Sequence, residues 1–454
     1  MKAYDLKPNY ENLLKTYRTD TIKRNEDVFH FIQLLDSIDN SCSIAVDGNW
    51  GSGKTFFVKQ VKMVLDSYNP HITLEDEEGR NVIQSIGRKF YGNREAKLQP
   101  QVCVYYDAWE NDNDDDPVLS LVYTILNSVE SDFSFKDQNC LKIAASIMEV
   151  FSGRNWAQLI SNLLESTNPL KDLKGHKETE KLVGDFLESL LPEKGNRLIV
   201  IIDELDRCKP SYAVRLLERI KHYFSNDKIT FVFSVNTSEL QHTIKKYYGN
   251  DFDGSRYLDR FFDLRVTLPP PDLRNYYLSL DFEESSEYYD LICEAVIRVH
   301  HFELREIARF IHLTRIAAYK PTHDNFDRFN SPKERALLFS LCVFVPIMIG
   351  LKICDMNRYD DFISGKDYTP LLEVAEVTEI MLFGNLLKEN ENYSEMATNM
   401  EVVKLEDKLR EVYETLFVNK YEKDIGRLRF TVGIKDELLR VSGLLSKYAS
   451  FDGA

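Results

Sequence analysis

Gly48-Asn-Trp-Gly-Ser-Gly-Lys-Thr55 is the stretch on which the fold turns. Its spacing, Gly48-x-x-x-x-Gly53-Lys54-Thr55, is that of a phosphate-binding loop. The glycines let the backbone turn tightly enough for successive N–H groups to face phosphate oxygens, and a helix starting at the loop adds the positive end of its dipole. Lys54 can reach the β- and γ-phosphates, and the Thr55 hydroxyl can ligate magnesium. Gly48, Asn49, Trp50, Gly51, Ser52, Gly53, Lys54, Thr55 and the adjoining Phe56 are therefore the expected nucleotide-binding residues. The flanks agree with this. The apolar run Ser43–Val46 precedes the loop, and Phe56–Tyr68 follows with Phe57, Val61, Val64 and Leu65 on one helical face. Strand, glycine loop, helix is the order the mechanism requires.

The second half of such a site is Leu198-Ile-Val-Ile-Ile-Asp203-Glu204. A wholly apolar strand suits a sheet covered on both faces, and a carboxylate at its end lies at the carboxyl edge of the sheet, beside the phosphate loop. Asp203 is expected to hold magnesium, and Glu204 to polarise the attacking water as general base. Two adjacent carboxylates in this setting point to hydrolysis rather than to transfer onto a small acceptor. The long interval between Lys54 and Asp203 leaves room for an additional strand, Val102–Tyr106, between the two motif strands. Ile229–Val235 is the next buried strand. Asn236, at its end, is either a sensor of the γ-phosphate or a cap on the helix that begins near Ser238. Leu264–Leu268 is a further strand.

The 454-residue chain is long enough for two or three domains. It is 43% hydrophobic and 29% charged, a globular composition. A net charge of −16 makes its surface a poor platform for non-specific nucleic-acid binding. Seven scattered cysteines without a C-x-x-C pair argue against a disulfide framework or a zinc site, and for a reducing compartment. The first thirty residues are charged and lack the apolar core of a secretory signal. A cytoplasmic location is expected.

Pro269-Pro-Pro271 marks a domain boundary. Before it, residues 1–271 read as an α/β P-loop domain: a five-stranded, mostly parallel sheet with a helical insertion around 112–190. Within that part, Glu75-Asp-Glu-Glu78 reads as a solvated loop and Asp112–Asp116 as an exposed turn. After the boundary, 272–454 reads as an all-helical lid and C-terminal domain. Its helical runs are Ala295–Ala318, Leu337–Ile353, Leu371–Leu387 and Met400–Phe417. Ala336–Leu351 is apolar almost throughout, but it is shorter than the roughly 20 residues of a membrane span and contains Pro346. It is read as a buried helix or helix pair, and membrane association is not expected.

Four segments now form a pattern: Gly48-Asn-Trp-Gly-Ser-Gly-Lys-Thr55; Asp107-Ala-Trp109; Ile202-Asp-Glu-Leu-Asp-Arg-Cys208-Lys-Pro210; and Tyr257-Leu-Asp-Arg-Phe-Phe262 with Leu268-Pro269. Their order resembles the KAP family of P-loop NTPases over roughly residues 20–320. Trp50 inside the loop and the Asp206-Arg207-Cys208 extension are the most distinctive marks. The resemblance implies ATP and Mg2+ as ligands. It also implies work in a multiprotein complex, since members include a neuronal membrane scaffold and bacterial anti-phage proteins. Two departures stand out. Many members carry transmembrane segments between the two motifs, whereas Val118–Leu191 here is amphipathic and charged. Members often have Asp where this chain has Glu204.

The resemblance also suggests roles for two arginines. Arg260 is either an arginine finger reaching a neighbouring subunit's nucleotide, which implies a homo-oligomer, or a surface ion pair. Arg305, in Leu304-Arg-Glu-Ile-Ala-Arg309, either contacts the nucleotide from a lid or is likewise a surface ion pair. Arg207 is expected to anchor the loop after Glu204, and Trp109 to wedge the floor of the site or contact substrate. The expected activity is ATP hydrolysis coupled to conformational change. The alternative is a nucleotide-gated switch whose helical domain binds protein partners.

Overall fold

Four of the strands form where apolar runs allow both faces of a sheet to be buried, the last is a largely exposed edge strand, and each lies within a residue of its expected bounds. They are β1 (Cys42–Asp47), β2 (Gln101–Asp107), β3 (Arg197–Asp203), β4 (Ile229–Val235) and β5 (Leu264–Thr267). The computed structural model describes residues 6–449 apart from 73–75, 91–97, 115, 134–183, 187–190, 192–194, 225, 281, 283–287, 324–330, 380–382, 384–398 and 420. The chain divides into two compact units, Lys7–Asn275 and one holding Tyr276–Ala454.

In the first unit all five strands are parallel, in the order β2-β3-β4-β1-β5. β2 falls between the two motif strands only along the chain. In the sheet it is an outer strand, and β4 occupies the place between β1 and β3. Successive strand side chains point to opposite faces, so each strand feeds two cores. Leu198, Val200 and Ile202 join one cluster, with Tyr212, Leu216 and Leu217. Ile199 and Ile201 join the other, with Val58, Val61 and Phe29. The result is a three-layer α/β/α sandwich. On the second face lie α1 (Tyr10–Thr19), α2 (Asn25–Asp36), α3 (Lys54–Tyr68) and α4 (Glu77–Phe90). On the first lie α5 (Pro117–Phe133), α6 (Pro210–Tyr223), α7 (Thr237–Tyr248) and α8 (Gly254–Leu258).

Two readings change here. The charge run expected to be a loop leads into α4, where Glu77 and Glu78 occupy the first turn and Arg88 and Lys89 the last. Those charges complement the helix dipole. In the acidic stretch after β2 the described residues 111–113 form a turn, but Asp112 and Asp116 are tied down. Asp112 accepts from the Lys209 N–H at 3.1 Å, and Asp116 pairs with Arg219 at 3.5 Å. Of the helical insertion expected around 112–190, positions 134–183 lie outside the described residues.

The second unit is built round a 23-residue helix, α11 (Pro332–Cys354), which opens with a Ser331–Glu334 capping box. Ala336 and every residue from Leu338 to Leu351 are buried, so the apolar segment is one core helix with Pro346 inside it. It is long and apolar enough to cross a membrane by length and composition, but 78% of its apolar window is covered by the protein. Around it pack α9 (Tyr288–His300), α10 (Leu304–His323), α12 (Met356–Ile363), α13 (Thr369–Glu376) and α15 (Gly433–Ser442); α14 (Asn399–Tyr413) packs against α13. The run Ala295–Ala318 is broken at His301, whose φ of 50° ends α9. An antiparallel hairpin, β6 (Lys423–Ile425) and β7 (Leu428–Phe430), interrupts the otherwise helical unit. Leu371–Leu387 is helical as far as Glu376 in α13; most of its end lies outside the described residues.

Candidate nucleotide site

Parallel strands place their carboxyl ends along one edge of the sheet, and the loop of Gly48–Gly53 sits there, between β1 and the start of α3. Gly51 and Gly53 adopt φ of 89° and 92°, where a Cβ would be strained. A Cβ on Gly48 would stand 2.9 Å from Ser52 Oγ. Lys54, buried at the first position of α3, donates from Nζ to Gly48 O at 2.5 Å and Asn49 O at 2.9 Å. Its ammonium is thus folded onto the carbonyls of its own loop. Burial lowers its pKa, and the carboxylates of Asp206, Asp203, Glu204 and Asp47 oppose that shift.

Asp203 ends β3 on the same sheet face as Ile199 and Ile201, which is the α3 face. It is almost wholly buried and held by two donors: Tyr105 OH at 2.9 Å and the Glu204 N–H at 3.0 Å. Glu204 adopts φ 61°, ψ 22°, a conformation costly for a residue with a Cβ and one that persists where a site demands it. Its Oε2 lies 2.5 Å from Arg207 Nε. Burial and the charge of Asp203 raise the Glu204 pKa, with Arg207 opposing, to about 7. The Arg207 guanidinium in turn lies 5.8 Å from the Trp50 ring and 5.6 Å from the Trp109 ring. Both indoles are exposed, at 45% and 54%. Trp50 Nε1 donates to the buried Asp206 at 2.5 Å, joining the phosphate loop to the turn after Glu204. Asp206 also has a raised pKa, because burial outweighs the Trp50 bond and the charge of Lys54.

The motif residues thus form one constellation: loop, Lys54, Asp203, Glu204 and the Asp206–Arg207 turn. Asn236 also lies at this edge, after the strand between β1 and β3, but its amide oxygen caps α7, accepting from the Ser238 and Glu239 N–H groups at 3.1 and 3.2 Å. Arg260 does not join the constellation within the chain. It precedes β5, whose start lies beside Ile44 near the beginning of β1, so it sits toward the opposite edge of the sheet, exposed to solvent. Arg305 is an exposed residue in the first turn of α10, in the second unit. Thr55 and Phe56 occupy the first turn of α3, with Phe56 packed against the core.

Three contributors escaped the sequence reading. Tyr105 reaches Asp203 from the neighbouring strand; alternation along β2 puts it on the Asp203 face, a signal present in the pattern. Asp47 accepts from Thr237 N–H at 2.9 Å and Thr237 Oγ1 at 2.8 Å, locking the end of β1 to α7. Arg24, far off in sequence, hydrogen-bonds the loop carbonyl of Ser52. Nothing local announces that contact.

Chemically, the loop suits a phosphorylated ligand. Ser52 Oγ is buried with no hydrogen-bond partner among the described residues, and Lys54 rests on carbonyl oxygens. The Thr55 hydroxyl and the Asp203 carboxylate are oxygen donors of the kind that a hard divalent cation takes, and they could hold one. The chain is 25% identical over 165 residues to an uncharacterized protein of Methanocaldococcus jannaschii, covering 27% of this chain and 84% of that one. The model of the KAP family P-loop domain matches residues 26–317, a span that holds the loop, Asp203, Glu204, Arg260 and Arg305. The chain belongs to the KAP family of P-loop NTPases.

Proposed function

We propose that this chain hydrolyses ATP with magnesium, using Glu204 as general base, and that the nucleotide cycle changes its conformation within a multiprotein complex. The observation that carries this reading is the convergence of a complete phosphate loop with a buried Asp203 and an adjacent, strained Glu204 at one sheet edge. Loop N–H groups and Lys54 would hold the phosphates, with Lys54 exchanging its carbonyl partners for phosphate oxygens. Thr55 and Asp203 would hold the magnesium ion, which when bound neutralises charge on the phosphates. Glu204, as the carboxylate, would take a proton from the attacking water as its oxygen bonds to the γ-phosphorus and the bond to ADP breaks. ATP rather than GTP is supported by the family alone, as is anti-phage defence as the setting. A role away from the membrane is supported by the covered α11, and a cytoplasmic location by seven scattered cysteines without a C-x-x-C pair.

A second reading, a nucleotide-gated switch with slow turnover whose helical region binds protein partners, is favoured by a specific feature. Both chemical groups are engaged by the protein itself: Lys54 by its own loop, Glu204 by Arg207. Glu204→Gln separates the two, since it should bind ATP without cleaving it. A variant still active in its biological assay supports the switch, and an inactive one supports the hydrolase. Exposed Arg260 supports action in trans within a homo-oligomer, which turnover per chain that rises with protein concentration would reveal.

A further inference from the structure

Arg24 stands just before α2, two residues outside the span that the family model matches. It is 3% exposed, and a guanidinium is costly to bury unless its donors are used. Nη1 donates to Ser52 O at 2.7 Å and Nη2 to Pro269 O at 2.6 Å. The first of these oxygens belongs to the peptide whose N–H is that of Gly53. In a planar trans peptide the C=O and N–H point to opposite sides. Fixing the Ser52 oxygen on Arg24 therefore turns the Gly53 N–H away from Arg24, and a charge-assisted bond polarises the same peptide. Gly53, at φ 92°, permits that orientation.

The second bond gives the strut a footing. Pro269 follows Leu268, whose N–H donates to Asp47 O at 3.0 Å, so this stretch is fixed to the end of β1. Beside it, the Asp272 N–H donates to Ile22 O at 3.2 Å; the exposed Lys23 side chain pairs with Asp272 at the surface and takes no part in the strut. We propose that Arg24 is a positioning residue for phosphate binding: it presets the Ser52–Gly53 peptide so that the Gly53 N–H faces the phosphates. This rests on the phosphate-loop reading of the same site.

A preset loop N–H holds the phosphates alike before and during reaction, so its loss raises KM and leaves kcat nearly untouched. The test measures Mg-ATP affinity by equilibrium dialysis, together with KM and kcat, for wild type, Arg24→Ala, Arg24→Lys and Lys23→Ala. Arg24→Ala is expected to weaken binding and raise KM about 10-fold or more, with kcat within about 3-fold of wild type. Arg24→Lys, which keeps the charge but not the two-armed reach, should fall between, and Lys23→Ala should match wild type. Millimolar ethylguanidinium should restore affinity to Arg24→Ala. A folded Arg24→Ala that binds ATP as tightly as wild type overturns the proposal. If Arg24→Ala does not fold, unchanged affinity in Arg24→Lys overturns it instead. Wild-type protein that fails to bind ATP would sink the phosphate-loop reading, and this one with it; normal wild-type binding beside unaffected Arg24 variants sinks this one alone.

Discussion

Glu204 combines a left-handed backbone, an ion pair to Arg207 and a pKa raised to about 7. In an unfolded chain the same carboxyl titrates near its ordinary value of 4.5. Because the folded value is raised, the fold favours the protonated form. Stability contributed at low pH is therefore lost as pH rises from about 4.5 through about 7. Glu204→Gln removes that loss. In denaturant unfolding without nucleotide or metal, the variant should gain about 1 kcal/mol on wild type between pH 5 and pH 8, after allowance for solvent screening. A constant difference between the two proteins across that range would contradict the assignment. Lys54→Ala is expected to abolish tight ATP binding, read by dialysis, because no other group in the loop carries its charge to the phosphates. At this scale the sequence was most legible where the chemistry is local. Eight consecutive residues specify the loop, and an apolar run ending in two carboxylates specifies the other half. Arg24 was not legible, because its partner lies 28 positions away, whereas Tyr105, 98 positions from Asp203, left a signal in the alternation of β2.

Helix caps and turns test the same account one level up. Asn236 caps α7, so Asn236→Ala should cost about 1 kcal/mol of stability. Asn236→Ser keeps a capping oxygen and removes the amide NH2. If that NH2 senses the γ-phosphate, Asn236→Ser should retain its Tm while kcat falls about 10-fold or more. An unchanged kcat would reduce Asn236 to a cap. The strands were readable because apolar runs bounded by turns have few other uses in a chain. Errors came where charge and length misled. Glu77 and Glu78 looked like loop residues, yet acidic side chains belong in the first turn of a helix such as α4. One apolar-periodic run became two helices because His301 takes φ 50°, which periodicity does not register. The three-residue strands β6 and β7 are too short for alternation to be seen.

For the whole molecule, the helical unit depends on α11, whose Phe344 is fully buried among Phe362 and Phe417. Phe344→Ala should cost about 3–5 kcal/mol in denaturant unfolding. A cost below about 1 kcal/mol would show that this helix is not packed inside a core. The sequence favoured a core helix here on its length and Pro346; the helix is 23 residues, long and apolar enough to cross a membrane, and 78% of its apolar window is covered by the protein. By the reading proposed above, Asp203–Glu204 and the phosphate loop make this chain a nucleoside triphosphatase. Phosphate release from ATP and GTP by wild type and Glu204→Gln, over a range of protein concentrations, tests it most directly. Wild type should release phosphate, and Glu204→Gln should release it at a rate lower by about 100-fold or more, with ATP binding retained. Equal turnover by the two proteins would contradict that reading.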